Sequence, residues 1–266
     1  MTVRHIAWRL LRIALIVVLV VSGLLLLFQH KLLYLPRPYP PGIPLRAGLE
    51  RLTFSTAAGA QVCWWMPGKA TDRLWLCFAG NAAQAKMWAD IFPEPPCGLL
   101  LIEYPGYGES AGSPSPASIL AATEGAVEAL RLRLGTFPGQ IGVLGHSLGA
   151  ATALQYAAKH PVQRIVLVSP FTRMLDMAER VVGWPCCYLL LHRYDNEARL
   201  GEITTPGASV VPPIIELFHG QDDTLIPLAM GQQLASEFPS IHFHPVAGAD
   251  HNGILADIAA QLRDLL

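Results

Sequence analysis

Gly145-His146-Ser147-Leu148-Gly149 joins two stretches of opposite character. Residues 141–144 form a short apolar run of strand type, and residues 148–159 read as a helix rich in Ala and Leu. A G-x-S-x-G pentapeptide in that position makes a tight strand-to-helix turn. Its glycines let backbone and helix pass closely, and its serine hydroxyl is pushed out at a helix N-terminus. The pattern alone is weak, because the chain holds a second match, Gly108-Glu109-Ser110-Ala111-Gly112. That copy follows Tyr104-Pro105-Gly106-Tyr107 and runs into Ser113-Pro114-Ser115-Pro116, with no helix to launch. It reads as a glycine-rich turn. Ser147 is the reactive candidate, and Ser110 is not.

Outward from this turn the chain alternates strands and helices. Strand-like runs fall at 51–56, 61–66, 74–79, 98–104, 140–145, 164–169, 214–219 and 241–246. Helical stretches fall at 82–91, 116–134, 148–159, 228–237 and 254–265. The runs 99–102, 165–168 and 214–217 are continuously apolar, as parallel strands covered on both faces are. The expected class is α/β, with a mostly parallel sheet of eight strands, helices on both faces and an antiparallel first hairpin. Residues 171–212 break the rhythm and read as a short cap over a site.

A serine hydroxyl needs a base to take its proton and a third group to orient that base. The run 214–217 leads into His219-Gly220-Gln221-Asp222-Asp223, which puts two carboxylates at one strand end. The last strand leads into Asp250-His251-Asn252, just before the final helix. Either acid alone is more often a solvated turn residue or a helix cap, and a lone histidine is more often incidental. His242 and His244, on one strand face, read as structural. Serine, acid and His251 at three strand ends in that order form a far less accidental set. An oxyanion hole would use the backbone N–H of Leu148 and that of Asn81, in the loop Phe78-Ala79-Gly80-Asn81-Ala82. The plainer alternative for Asn81 is a helix N-cap.

The head of the chain differs from its body. Residues 1–49 carry six basic residues and no acid, leaving thirteen basic against twenty acidic residues beyond. Residues 13–28 are apolar except for Ser22 and Gly23, and no small-residue cleavage site follows. Residues 1–35 therefore read as a retained membrane anchor rather than a removed signal. Three basic residues flank each side, and the N-terminal amine tips the soluble part to the outer, extracytoplasmic face. Residues 36–48, with five prolines, read as an extended linker. Five cysteines show no C-x-x-C pair and no zinc spacing, so no metal is expected. With 52% hydrophobic and 15% charged residues, the chain is neither disordered nor a nucleic-acid binder.

Taken together these residues resemble the α/β-hydrolase superfamily, and within it the membrane-anchored group that includes the α/β-hydrolase domain-containing 13 and 17 proteins and their Bem46-like relatives. The resemblance runs through residues 31–36, Gly80-Asn81-Ala82, Glu103-Tyr104-Pro105-Gly106-Tyr107-Gly108, the pentapeptide, residues 219–227 and residues 248–252. It implies Ser147 as nucleophile, His251 as base and Asp223 as orienting acid, because the family's acid falls three residues after the glycine of His-Gly-x-x-Asp. Departures are Ala79 where the family usually has histidine, Ala249-Asp250 before His251, and extra length at 204–211.

The function expected is that of a membrane-anchored serine hydrolase, with residues 49–266 as its α/β-hydrolase domain. It would cleave carboxylic esters or thioesters of lipophilic acyl groups through an acyl-enzyme. A peptidase or amidase of the same fold is the enzyme alternative, and a non-catalytic membrane-tethered binding module is the other. No cofactor is expected. The expected partners are a small-molecule or lipid-acyl substrate and the membrane, with no nucleic acid, and the chain is expected to act as a monomer.

Overall fold

The computed structural model describes residues 3–40, 42, 45–205 and 211–266. The first two residues, Pro41 and Pro44 of the proline run, and residues 206–210 of the extra length lie outside the described residues. Helix α1 spans Val3–Leu33, and within it Trp8–Leu33 is long and apolar enough to cross a membrane. The side chains described along this span are mostly exposed, and its C-terminal end packs against the rest of the chain.

The strands are β1 Glu50–Thr56, β2 Gly59–Met66, β3 Ala70–Phe78, β4 Cys97–Ile102, β5 Gln140–His146, β6 Arg164–Val168, β7 Ile214–Gly220 and β8 Ile241–Val246. They form one sheet in the order β1-β2-β4-β3-β5-β6-β7-β8. The β2 strand is antiparallel to both its neighbours, and every pairing from β4 to β8 is parallel. The eight-stranded, mostly parallel sheet expected from the apolar runs is present.

Alternate residues of the central strands feed two cores, as the period of two requires. Leu74, Leu76, Phe78, Ile165 and Leu167 face helices α3 Pro116–Leu134 and α4 Leu148–Ala157. Trp75, Cys77, Val166 and Val168 face the other layer, with Trp88 of α2 (Met87–Ile91) and the C-terminal helices α8 Ile254–Asp257 and α9 Ala259–Leu265. The order β4-β3-β5 reverses the direction of winding at β3, so the loops after β3 and β5 open side by side at the carboxyl edge. A crevice forms where such a reversal occurs.

Two helices differ from expectation. The stretch 82–91 is helical only over α2, because Ala82 takes a left-handed φ of 60° and residues 83–89 begin as tight turns. The stretch 254–265 is split at Ile258 into α8 and α9. The excursion after β6 contains α5 Met174–Val182, a 3-10 turn Cys186–Leu189 and α6 Asn196–Thr204. The α6 helix buries Leu200 against the α4 layer, and α5 with the 3-10 turn overhangs the carboxyl edge. Helix α7, Leu228–Glu237, precedes β8.

Candidate active site

The pentapeptide forms the turn its glycines permit. A Cβ on Gly145 would stand 2.2 Å from the carbonyl oxygen of Gly149, and one on Gly149 would stand 2.2 Å from that of Phe78. Ser147 takes φ 56° and ψ −118°, a conformation that costs a non-glycine residue on the order of 1–3 kcal/mol. The turn is held by its backbone N–H, which donates to Val168 O at 2.9 Å on β6. Strain of this kind is kept where the surroundings over-determine it, and here it aims the hydroxyl into the crevice.

Ser147 Oγ lies 3.0 Å from His251 Nε2, and His251 Nδ1 lies 2.7 Å from Asp223 Oδ2. All three residues are buried. A carboxylate accepts only, so Nδ1 carries the proton and Nε2 is left to accept from the serine hydroxyl. The other carboxylate oxygen of Asp223 accepts the backbone N–H groups of Leu225 and Ile226, at 3.0 and 2.8 Å. Burial pushes the Asp223 carboxyl up, but the hydrogen bonds from His251 and Ile226 outweigh it and hold the group below the usual range. Asp222 is exposed, and its backbone N–H donates to Ala249 O. Of the two adjacent carboxylates, the structure brings only Asp223 to His251.

Two further histidines support the set. His146 Nε2 donates to the backbone carbonyl of His251 at 2.8 Å, and burial with the nearby His251 pushes its pKa down to about 4. It is therefore neutral and braces the loop that carries His251. Its ring also explains Gly80, where a Cβ would stand 2.9 Å from His146 Nδ1. His219 Nε2 donates to Ile226 O at 2.8 Å, and burial lowers its pKa. This bond closes the loop whose N–H groups hold Asp223. Neither role was visible in the sequence, although His146 occupies a variable position of a motif that fixes its surroundings.

Asn81 is not the cap of α2, which starts from Lys86 without a side-chain cap bond. Its amide instead ties the loop to the end of α1. Nδ2 donates to Leu33 O at 2.8 Å, and Oδ1 accepts from Leu35 N, Tyr107 Oη and Ala82 N. The backbone N–H groups of Asn81 and Leu148 have no acceptor among the described residues. Both residues line the cavity onto which Ser147 opens. That cavity has a volume of about 290 Å³, and among the described residues no charged one lines it. Its walls come from α1, α5, the 3-10 turn, Phe171 and the loop at Leu225 and Ile226.

Other candidates fall elsewhere. Ser110 Oγ donates to Val62 O and accepts Val62 N, so that serine pins β2 to the loop after β4. His242 and His244 both bond the carboxylate of Glu216 across β7 and β8. The five cysteines are free, and burial pushes the thiols of Cys63 and Cys97 up to about 12 and 11. Glu103 lies buried behind the site, where desolvation raises its carboxyl to about 7 against the hydrogen bonds from Tyr39 Oη and Ala85 N. The ammonium of Lys86 covers the rings of Tyr39 and Trp64 at 3.7 and 3.9 Å, closing this latch between linker and sheet.

Fold and site together describe a protein of the α/β-hydrolase class. A family model described as the alpha/beta hydrolase fold matches residues 76–185. The chain is 30% identical over 258 residues to the uncharacterized protein Rv2307c of Mycobacterium tuberculosis, covering 92% of this chain and 89% of that one. It is 28% identical over 159 residues to the alpha/beta hydrolase domain-containing protein 17C of Xenopus tropicalis, covering 59% of this chain and 48% of the relative. Among solved structures it is similar to the Pyrococcus furiosus esterase Pf2001, with a TM-score of 0.68 at 15% identity over 87% of this chain and 95% of that one. The chain belongs to the α/β-hydrolase family.

Proposed function

We propose that this chain is a membrane-anchored serine hydrolase that cleaves carboxylic esters or thioesters of lipophilic acyl groups. The observation that carries the reading is the hydrogen-bonded series Ser147–His251–Asp223 opening onto an uncharged, apolar-walled cavity. Ser147 Oγ attacks the acyl carbonyl as His251 Nε2 takes its proton. The Oγ–C bond forms, and the tetrahedral oxyanion is met by the backbone N–H groups of Leu148 and Asn81. The carbon–oxygen or carbon–sulfur bond to the leaving group then breaks, and His251 returns the proton to that group. Water, deprotonated by His251, releases the acid and restores the serine. Asp223 keeps the imidazole in the accepting tautomer and stabilises the imidazolium.

The lining favours acyl chains over basic peptides, because a cationic side chain would find no carboxylate to pair with. Two sequence observations favour retention of α1 as an anchor on the membrane, with the catalytic part outside: the apolar run without a cleavage site, and the clustered N-terminal charges. The test is a fluorophosphonate probe on the full chain in detergent, beside p-nitrophenyl esters of graded length, acyl-thioesters and peptide amides. Wild type and Ser110→Ala are expected to be labelled and Ser147→Ala is not. Labelling that persists in Ser147→Ala, or turnover of amides alone, overturns the reading. Resistance of the full chain to an alkaline carbonate wash checks the anchor, and a mature N-terminus near residue 24 would refute it.

A further inference from the structure

Resting on the serine-hydrolase reading, we infer that α1 is a wall of the acyl-binding site as well as a tether, and that the enzyme draws its substrate's acyl tail sideways from the lipid leaflet. Leu25, Gln29, Leu32 and Leu33 lie on one face of α1 by their spacing, and all four line the cavity that holds Ser147. A free tether would leave that face unpartnered. Here it is fastened. Gln29 Oε1 accepts Leu191 N at 2.8 Å, Gln29 Nε2 donates to Leu189 O at 3.3 Å, and His30 Nε2 donates to Pro114 O at 2.9 Å. Both ends of the Gln29 amide are thereby spent on backbone, so they present no unpaired polar group to an alkyl chain.

The length of the helix places this wall at the leaflet surface. Counted from Ile13, past Arg9 and Arg12, the helix up to Leu33 rises about 32 Å, against a hydrocarbon core of about 30 Å. Its last turns, which grip the overhanging turn, therefore lie at the interface, where Lys31 can reach water. The residues beside that grip suit a lipid surface. Val181, Trp184, Tyr188 and Leu191 are 81%, 74%, 57% and 67% exposed. A water-facing patch of this size is a liability unless something apolar covers it, and Trp and Tyr are the rings favoured at the bilayer interface. Continuity with α1 makes the occupant the leaflet itself.

Volume sets the tail. An apolar cavity of about 150 Å³ holds one benzene, so about 290 Å³ holds on the order of a dozen carbons. A longer tail would leave along α1, still among lipid. The substrate class is therefore an ester or thioester whose acyl chain of about a dozen carbons or more resides in the leaflet.

The experiment uses the full chain in phosphatidylcholine nanodiscs and a dodecyl fluorophosphonate carrying a mid-chain diazirine. Phosphonylation of Ser147 with photo-crosslinks in residues 25–33 and 174–190 is the expected result. Phosphonylated Ser147 with crosslinks confined to other elements overturns the α1 wall while leaving the serine-hydrolase reading intact. No label on Ser147 refutes that reading and takes this inference with it. In Leu25→Trp, the ratio of p-nitrophenyl dodecanoate to butyrate turnover should fall about tenfold, and an unchanged ratio counts against the wall. In Trp184→Glu, labelling by the dodecyl probe should slow about tenfold relative to an ethyl fluorophosphonate added in water. Equal rates for the two probes overturn uptake from the leaflet.

Discussion

The imidazole of His146 donates to the backbone carbonyl of His251 at 2.8 Å, so the residue before Ser147 holds the loop that carries His251. The two histidine rings lie 4.9 Å apart between centroids. One short bond therefore couples the turn after β5 to the loop after β8, across two intervening strands. Replacing His146 with Ala leaves a buried carbonyl unpaired, at a cost of about 1–3 kcal/mol. The expected outcome is a lower thermal midpoint together with a fall in kcat larger than any change in KM. Unchanged kcat at full occupancy would show that the base needs no such brace.

The adjacent carboxylates separate cleanly. Asp223→Asn removes the group that fixes the tautomer of His251, and loss of the acid in a serine triad costs on the order of 10⁴ in turnover. Asp222→Asn alters an exposed turn residue and should keep most activity. Steady-state ester hydrolysis, with folding verified by circular dichroism, decides between them. A collapse of activity in Asp222→Asn and not in Asp223→Asn would reverse the assignment.

Two buried groups oppose each other in their dependence on pH. His146, held at about 4, stays neutral in the native protein while its unfolded counterpart protonates below about 6.5. Its contribution is whole above 6.5 and is lost as pH falls toward 4. Glu103, held at about 7 against an ordinary 4.5, keeps its proton when the unfolded chain has released it. Its contribution is whole below 4.5 and is lost as pH rises to 7. Each amounts to about 3 kcal/mol, and between 4.5 and 6.5 the two slopes offset. Glu103→Gln should therefore expose a rise in stability of about 1.4 kcal/mol per pH unit, with His219 adding in the same direction. Denaturant unfolding of the full chain in detergent from pH 4.5 to 6.5 reads it, and a flat profile in the variant refutes it.

Asn81→Ala retains the backbone N–H but releases Leu33 O and Leu35 N from the loop after β3. Trypsin should then cut faster after Lys31, as followed by mass spectrometry; the Arg37–Pro38 bond is not a tryptic site. Cleavage at the wild-type rate would mean that the other contacts of α1 suffice.

Much of this was legible because it is local or periodic. Continuous apolar runs marked the parallel strands, since a strand covered on both faces has no polar side to show. The glycines of the pentapeptide announced a close approach that the carbonyls of Phe78 and Gly149 make visible. Asp223 required the family's spacing, because nothing local distinguishes it from Asp222. Contacts between distant segments left no pattern to read. The side chain of Asn81 turned out to serve α1, and His146 and His219 hold carbonyls more than a hundred and seven residues away respectively. The excursion hid its helices for another reason: α5 leaves Val181 bare, so burial does not mark all its apolar residues.

The neck of that excursion is sewn shut. Arg173 and Asp195 form an antiparallel bridge, Met174 N donates to Tyr194 O at 2.8 Å, and Asn196 N donates to Thr172 O at 3.0 Å. The buried amide of Asn196 adds a bond to Phe171 O at 2.7 Å. Both legs thus stand side by side on the sheet whatever the intervening residues do, and bridged backbones sit about 5 Å apart. Residues 175–193 are in effect a cartridge with fixed terminals. An inheritance that swapped, lengthened or shortened the cartridge would leave the terminals and the sheet beneath them undisturbed.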